Sequence, residues 1–420
     1  MKRQYLILLL VAGLLTFFSA CKKEVHYNAL IITGQNNHNW KASNPILKQL
    51  LEQTGLFSAD IIITPEKGGD MITFDPDFSK YDLIVLDYNG DSWTEETNTA
   101  FLEFVSNGGG VVVYHAADNS FPDWEEYNKI IGLGGWGNRN EKSGPYVYYR
   151  GNEIVRDDTS KGIGGTHGPR SDYIVKTRNF EHPITKGLPV NWFQGNDELY
   201  SLLRGPAENM EILATSFSAT RRPGQAAEAA APAQGFRRIR EGRDEPVLMT
   251  ITYGKGRIFH TVLGHADEGG GPAMESVGFI VTFQRGAEWA VSGKVTQEVP
   301  FDFPSASGVV LRPDFKVITL DDAMANIGSY EIEKSTKNFT FLRSYIRKIA
   351  DDEKALLNVE KKMVDVLKNN EVTVDSKKLL LRELSWMGSD YSIAAIKELI
   401  SNNDLKDEAG FALARLQPSK

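Results

Sequence analysis

A single cysteine, Cys21, stands in the 420-residue chain, so no internal disulfide can form and stability must come from packing. After the first twenty residues no stretch is apolar enough to span a bilayer. Positive charge is not in excess: the formal net charge is −8, which makes nucleic acid an unsuitable partner. The sequence has no GxxxxGK[ST], no GxSxG, and no HxH or HExxH spacing. A P-loop, an elbow-serine hydrolase and a locally encoded zinc site are therefore set aside.

What is present begins with a leader. Lys2 and Arg3 precede the apolar run from Tyr5 to Phe18, and Ser19-Ala20-Cys21 follows, so residues 1–20 read as a signal peptide. The cysteine directly after Ser-Ala resembles the lipobox of bacterial lipoproteins. That implies lipidation at Cys21, a tether over 21–26, and a lipid-anchored place in the bacterial cell envelope, periplasmic or at the outer-membrane surface.

Hydrophobic residues make up 41% and charged residues 24%, the balance of an ordinary globular protein, and the length allows two or three folded units. Between Tyr27 and residue 303, apolar runs alternate with amphipathic segments, the pattern of an α/β fold with a doubly wound, mostly parallel sheet. Strands are expected at Ala29–Thr33, Asp60–Thr64, Leu83–Leu86, Val111–Tyr114, Glu211–Phe217, Val247–Thr252 and Arg257–Val262. Helices are expected at Ser43–Thr54, Thr94–Ser106 and around Ala273–Val291. Residues 219–245, rich in Ala, Pro, Gly and Arg, read as a solvated, flexible insertion. A linker over 304–318 leads into 319–420, where five helical patterns follow one another and the pairs from Asp375 onward look HEAT-like. Such a module suits docking of a protein partner.

All seven histidines lie between positions 26 and 265. Polar clusters follow four expected strands: Gly34 to Trp40 with His38, Asp87 to Trp93, His115 to Asn119, and Gly264 to Asp267 with His265. In an open parallel sheet these loops project together beyond the carboxyl ends of the strands, where ligands bind. Asn37, Asn89, Asp91 and His167 offer hydrogen bonds to hydroxyls, and Trp40 and Trp124 offer flat apolar faces, with Trp93 and Trp136 nearby. This combination suits a sugar-like ligand.

At these residues the chain resembles the ThuA-like (trehalose-utilisation) family. The matching stretches are Ile32-Thr33-Gly34 through Trp40, Gly109 through Ala117 with Phe121 and Trp124, His182-Pro183-Ile184-Thr185, Asp197-Glu198-Leu199-Tyr200, and Gly256 through His265. The resemblance covers about residues 27–292 and implies a flavodoxin-like fold related to class I glutamine amidotransferases. Those relatives place a cysteine nucleophile where this chain has His115, so glutaminase chemistry is excluded.

The resemblance further implies carbohydrate catabolism on sugars oxidised at the 3-position. A 3-ketone acidifies the neighbouring C2 proton, so an imidazole or carboxylate base can begin cleavage of the C1–O bond, with hydration to follow. On that basis His115 or His38 is expected as base, Asp118 as its orienting partner, Asp197 or Glu198 as acid or hydroxyl ligand, and His265 as the group that polarises the keto oxygen. No cofactor is specified, but His115 and His265, with His38 and a carboxylate, could together supply donors for a divalent transition ion such as zinc. The competing expectation is a non-catalytic carbohydrate-binding or scaffold lipoprotein whose helices dock a partner enzyme.

Overall fold

A computed structural model describes residues 26–218 and 242–417. The leader, Cys21 and most of the expected insertion lie outside the described residues. The last three positions of that insertion are strand: Arg243–Glu245 open an extended strand that runs to Tyr253, longer at its start than the apolar run Val247–Thr252 indicates.

Five parallel strands form the centre. β1 (Tyr27–Thr33), β2 (Phe57–Ile63), β3 (Leu83–Leu86), β4 (Gly110–Tyr114) and β13 (Gly256–Thr261) lie in the order β2-β1-β3-β4-β13. All their pairings are parallel, in the flavodoxin-like order whose switch point falls between β1 and β3. Consecutive residues of β1, β3 and β4 are buried, so both faces of the sheet are covered there, which is why their sequences are unbroken apolar runs.

The helices between these strands have identifiable starts and stops. α1 (Trp40–Glu52) joins β1 to β2, and α2 (Glu95–Ser106) joins β3 to β4. The Thr94 hydroxyl accepts the Thr97 amide, Glu95 and Glu96 complement the dipole of the first turn, and Gly108 at φ +117° turns the chain into β4.

Beyond β4 come α3 (Glu125–Ile131) and a series of strands: β5 (Tyr146–Arg150), β6 (Glu153–Asp157), β7 (Thr166–His167), β8 (Ser171–Thr177), β9 (Asn191–Asp197), β10 (Tyr200–Ser201), β11 (Met210–Ser218) and β12 (Arg243–Tyr253). Most of them make the sheet mixed: β13-β12-β11-β8-β9 continues it antiparallel, β5 attaches to β12 and β6 to β5, while β7 and β10 pair as a separate two-stranded sheet. α4 (Gly271–Glu275) and α5 (Val277–Ser292) follow, the latter almost wholly buried against the sheet and α1.

The stretch 304–318, expected as a linker, lies along the α/β body. Arg312 makes a buried bidentate pair with Asp302 at 2.7 and 2.8 Å, and Phe315 enters the main core. The C-terminal region is all helical: α6 (Leu320–Ile327), α7 (Lys337–Lys348), α8 (Glu353–Lys368), α9 (Val374–Met387), α10 (Asp390–Glu398) and α11 (Lys406–Leu416), around a separate core that includes Leu342, Met363, Leu381 and Ile396. It meets the α/β body where Phe301 packs on Tyr345 at 4.5 Å and Lys348 pairs with Glu298. No helix among the described residues is long and apolar enough to cross a membrane.

Candidate functional site

The carboxyl ends of β1, β4 and β13 deliver His38, His115 and His265 to one place, and the β9–β10 connection delivers Glu198. One side-chain donor atom from each of the four lies within 4.8 Å of the others. Glu198 Oε2 is 3.3 Å from His265 Nδ1, 3.4 Å from His38 Nε2 and 3.8 Å from His115 Nε2. Its other oxygen, Oε1, faces His167 Nδ1 at 3.8 Å.

Each of the three inner imidazoles has its second nitrogen against an acceptor. His115 Nδ1 donates to the Val262 carbonyl at 2.6 Å. His38 Nδ1 faces Asn36 Oδ1 at 3.4 Å, and the Asn36 amide is oriented by donating to Asp87 Oδ1. His265 Nε2 faces Asp267 Oδ1 at 3.5 Å, and Asp267 is also paired with Arg170. With protons at those outer nitrogens, the neutral rings turn bare nitrogens toward Glu198, so four lone-pair donors converge. His265 Nδ1 is buried there with no hydrogen-bond partner. Three imidazole nitrogens and a carboxylate oxygen, each ring held by an outer acceptor, fit a divalent transition cation. His115 Nε2 also lies 3.1 Å from the Tyr200 hydroxyl.

The electrostatics agree with a demand for positive charge. Burial opposes ionisation of Glu198, but with no cation between them the three imidazoles can instead turn an N–H toward it, and those bonds from His115, His265 and His38 hold its carboxyl far below the usual carboxylate range. Burial also disfavours charge on His115, yet Glu198, Asp197 and the Val262 carbonyl raise its pKa on balance. His38 goes the other way, pushed down to about 4, chiefly by burial.

His115 sits at φ +45°, a left-handed conformation uncommon for a residue with a side chain, on the turn from β4 into a 3₁₀ segment. Gly264, at φ +99°, makes the corresponding turn before His265, where a Cβ would come 2.5 Å from the Phe279 ring. The fully buried Asp197 anchors that corner. Its carboxylate accepts the amides of Gly264 (2.7 Å), His265 (3.1 Å) and Glu198 (2.8 Å) and the Gln194 side chain (2.9 Å).

Several expected site residues lie elsewhere. Asp118 does not orient a cluster histidine. The 3₁₀ turn carries it into the interior, where it faces His260 at 3.6 Å, both fully buried. Asp197 has its oxygens committed to the backbone as just described, which removes it as an acid or ligand. Trp124 packs with Trp93, Phe121 and Tyr127 in an aromatic group and offers no platform at the cluster. Asn37 and Asn89 bond each other, Asp91 accepts the Gly68 amide, and Trp40 starts α1 beside Lys41.

Sequence reasoning assigned no role to Asp267, Tyr200, Asn36 or Asp87. Each belongs to a stretch that it singled out, but pairings such as Tyr200 with His115, 85 positions apart, leave no local signal. Asp87 lies beneath the site. Burial lifts its carboxyl to about 7 despite bonds from Ser43, Thr33 and Asn36.

Residues 28–290 match the family model described as ThuA, trehalose utilisation. A solved ThuA-like protein from Parabacteroides merdae ATCC 43184 is 49% identical, with a TM-score of 0.63, over 70% of this chain and 100% of its own. Another, from Bacteroides uniformis ATCC 8492, is 21% identical with a TM-score of 0.40, over 65% of this chain and 94% of its own. No curated protein matches the chain.

Proposed function

Because the chain belongs to the ThuA (trehalose utilisation) family, we propose that it is an exported carbohydrate-processing enzyme of the cell envelope, anchored through Cys21 and acting on 3-keto-glycosides. The observation that carries this reading is the convergence of His38, His115, His265 and Glu198 at the strand ends. These four would hold a divalent cation such as zinc, which would supply Lewis acidity toward the keto oxygen.

Histidines whose free nitrogen lone pairs bind a cation cannot also accept a proton there, so the base moves from His115 or His38 to His167. That ring lies 3.8 Å from Glu198 Oε1 and is 38% exposed, against 2–13% for the inner three. Its Nδ1 bonds the Gly168 carbonyl, which leaves Nε2 as the basic nitrogen. The C2–H bond breaks, the proton passes to His167, and the electron pair moves toward the C3 oxygen. The C1–O bond then breaks as the C1=C2 bond forms and the C3 carbonyl returns, and the leaving oxygen takes the proton. Water can add across the resulting enone. In this reading the C-terminal helices form a HEAT-like module that docks a partner.

The test is to incubate residues 22–420 with a panel of 3-keto-glycosides and follow aglycone release. Turnover that disappears in a folded His115→Ala variant supports the reading. Binding without turnover across the panel would favour a carbohydrate-binding protein instead.

A further inference from the structure

Residues 136–138 occupy a backbone region that side chains rarely enter. Trp136 has φ +51°, Gly137 +56° and Asn138 +64°. A bulky aromatic residue there is an outlier, and such strain persists only where the surroundings over-determine it.

Here they do. The Trp136 amide donates to the Gly164 carbonyl at 2.7 Å, its own carbonyl accepts from Arg139 at 2.9 Å, and the Gly164 amide closes the loop on the Arg139 carbonyl. Arg139 is 2% exposed and donates to the carbonyls of Asn119, Gly135 and Ser120 and to the Asn128 side chain. Gly165 clears space for the indole, since a Cβ there would come 2.8 Å from Trp136 Cε3.

What this arrangement secures is the place of one ring. The half-buried indole stands edge-on to Tyr200 with centroids 4.7 Å apart and lies 5.8 Å from His167, the residues that meet His115 and Glu198. The other tryptophans near the strand ends are placed differently: Trp93 and Trp124 are in the aromatic group under α2 and α3, and Trp40 lies beside Lys41.

We propose that Trp136 is the sugar platform of the site, the flat face on which the C–H face of a pyranose ring lies while its oxidised carbon reaches the histidine and glutamate cluster. A rigid aromatic surface beside polar donors is what a pyranose, apolar on its faces and hydroxylated at its rim, requires. This inference rests on the reading that the cluster acts on a sugar, and it assigns the specificity of that site to a residue outside the cluster.

The test uses Trp136→Asn, because asparagine tolerates the left-handed conformation, and Trp136→Phe, which keeps an aromatic face. Residues 22–420 are titrated calorimetrically with trehalose and 3-keto-trehalose, and Co²⁺ absorption reports separately on the cluster. Trp136→Asn should weaken sugar binding about tenfold or more, with an unchanged cobalt spectrum, while Trp136→Phe keeps most of the affinity. Wild-type affinity in Trp136→Asn would overturn the platform role alone. Loss of both sugar and cobalt binding in the two variants would make Trp136 a structural residue and overturn it equally. A wild-type chain that binds neither sugar would bring down the underlying reading, and this proposal with it, before any substitution is compared.

Discussion

Glu198 Oε2 and His265 Nδ1 approach to 3.3 Å, an unprotonated carboxylate oxygen against a ring nitrogen whose proton belongs on the opposite side, next to Asp267. Two lone pairs directed at each other are unfavourable unless a proton or a cation lies between them. His38 and His115 add two more nitrogens to the same point. A single divalent ion, as proposed above, would satisfy all four donors at once.

Asp267 holds the outer nitrogen of His265 and pairs with Arg170. Asp267→Asn should therefore weaken zinc binding about 10- to 100-fold without unfolding the protein, as loss of an outer carboxylate does at other histidine sites. Competition with a chromophoric chelator measures this. An unchanged dissociation constant would mean that Asp267 has no part in orienting His265.

Asp197→Ala should cost roughly 3 kcal/mol or more, because it strips the buried amides of Gly264, His265 and Glu198 of their acceptor at once. Urea unfolding monitored by tryptophan fluorescence gives the value. A loss of activity with unchanged stability would instead return Asp197 to the catalytic set.

Asp87 gives a pH signature. Its folded pKa, about 7, lies above the ordinary 3.8, so the native state binds the proton more tightly than the unfolded chain. Its contribution to stability must then fall as pH rises from about 4 to 7, by on the order of 4 kcal/mol in all. Asp87→Asn removes that slope, so the variant should gain on the wild type between pH 5 and pH 8. Parallel stability curves would show that Asp87 does not titrate in this range.

Replacing His167 by Gln should lower turnover of a 3-keto-glycoside by about 10²-fold or more while the zinc content stays the same. This separates the open imidazole from the three inner ones, whose loss should remove the metal too. Full activity in His167→Gln would return proton transfer to the cluster.

The central strands were readable because burial on both faces turns Leu30–Ile32, Leu83–Leu86 and Val111–Val113 into unbroken apolar runs. Strands β5 to β9 left no such trace. They are antiparallel and partly solvent-facing, with Ile154 57% and Ile174 44% exposed, so polar and apolar residues mix. The convergence of His38, His115 and His265 was legible for the same reason as the strands, since each follows one. Their outer partners were not. Whether Asp118 faces His115 or His260 depends on the tight turn at a left-handed His115, which no spacing rule encodes. Trp136 was one of several aromatic candidates until its backbone and its contact with Tyr200 set it apart.

The most direct measurement is the metal content of purified residues 22–420 after incubation with Zn²⁺ and dialysis, beside a His115→Ala, His265→Ala double variant. One zinc per wild-type chain and none in the folded double variant is the expected result. A wild-type chain that retains no Zn²⁺, Mn²⁺ or Ni²⁺, or a double variant that retains as much as the wild type, would contradict a metal centre built from His38, His115, Glu198 and His265.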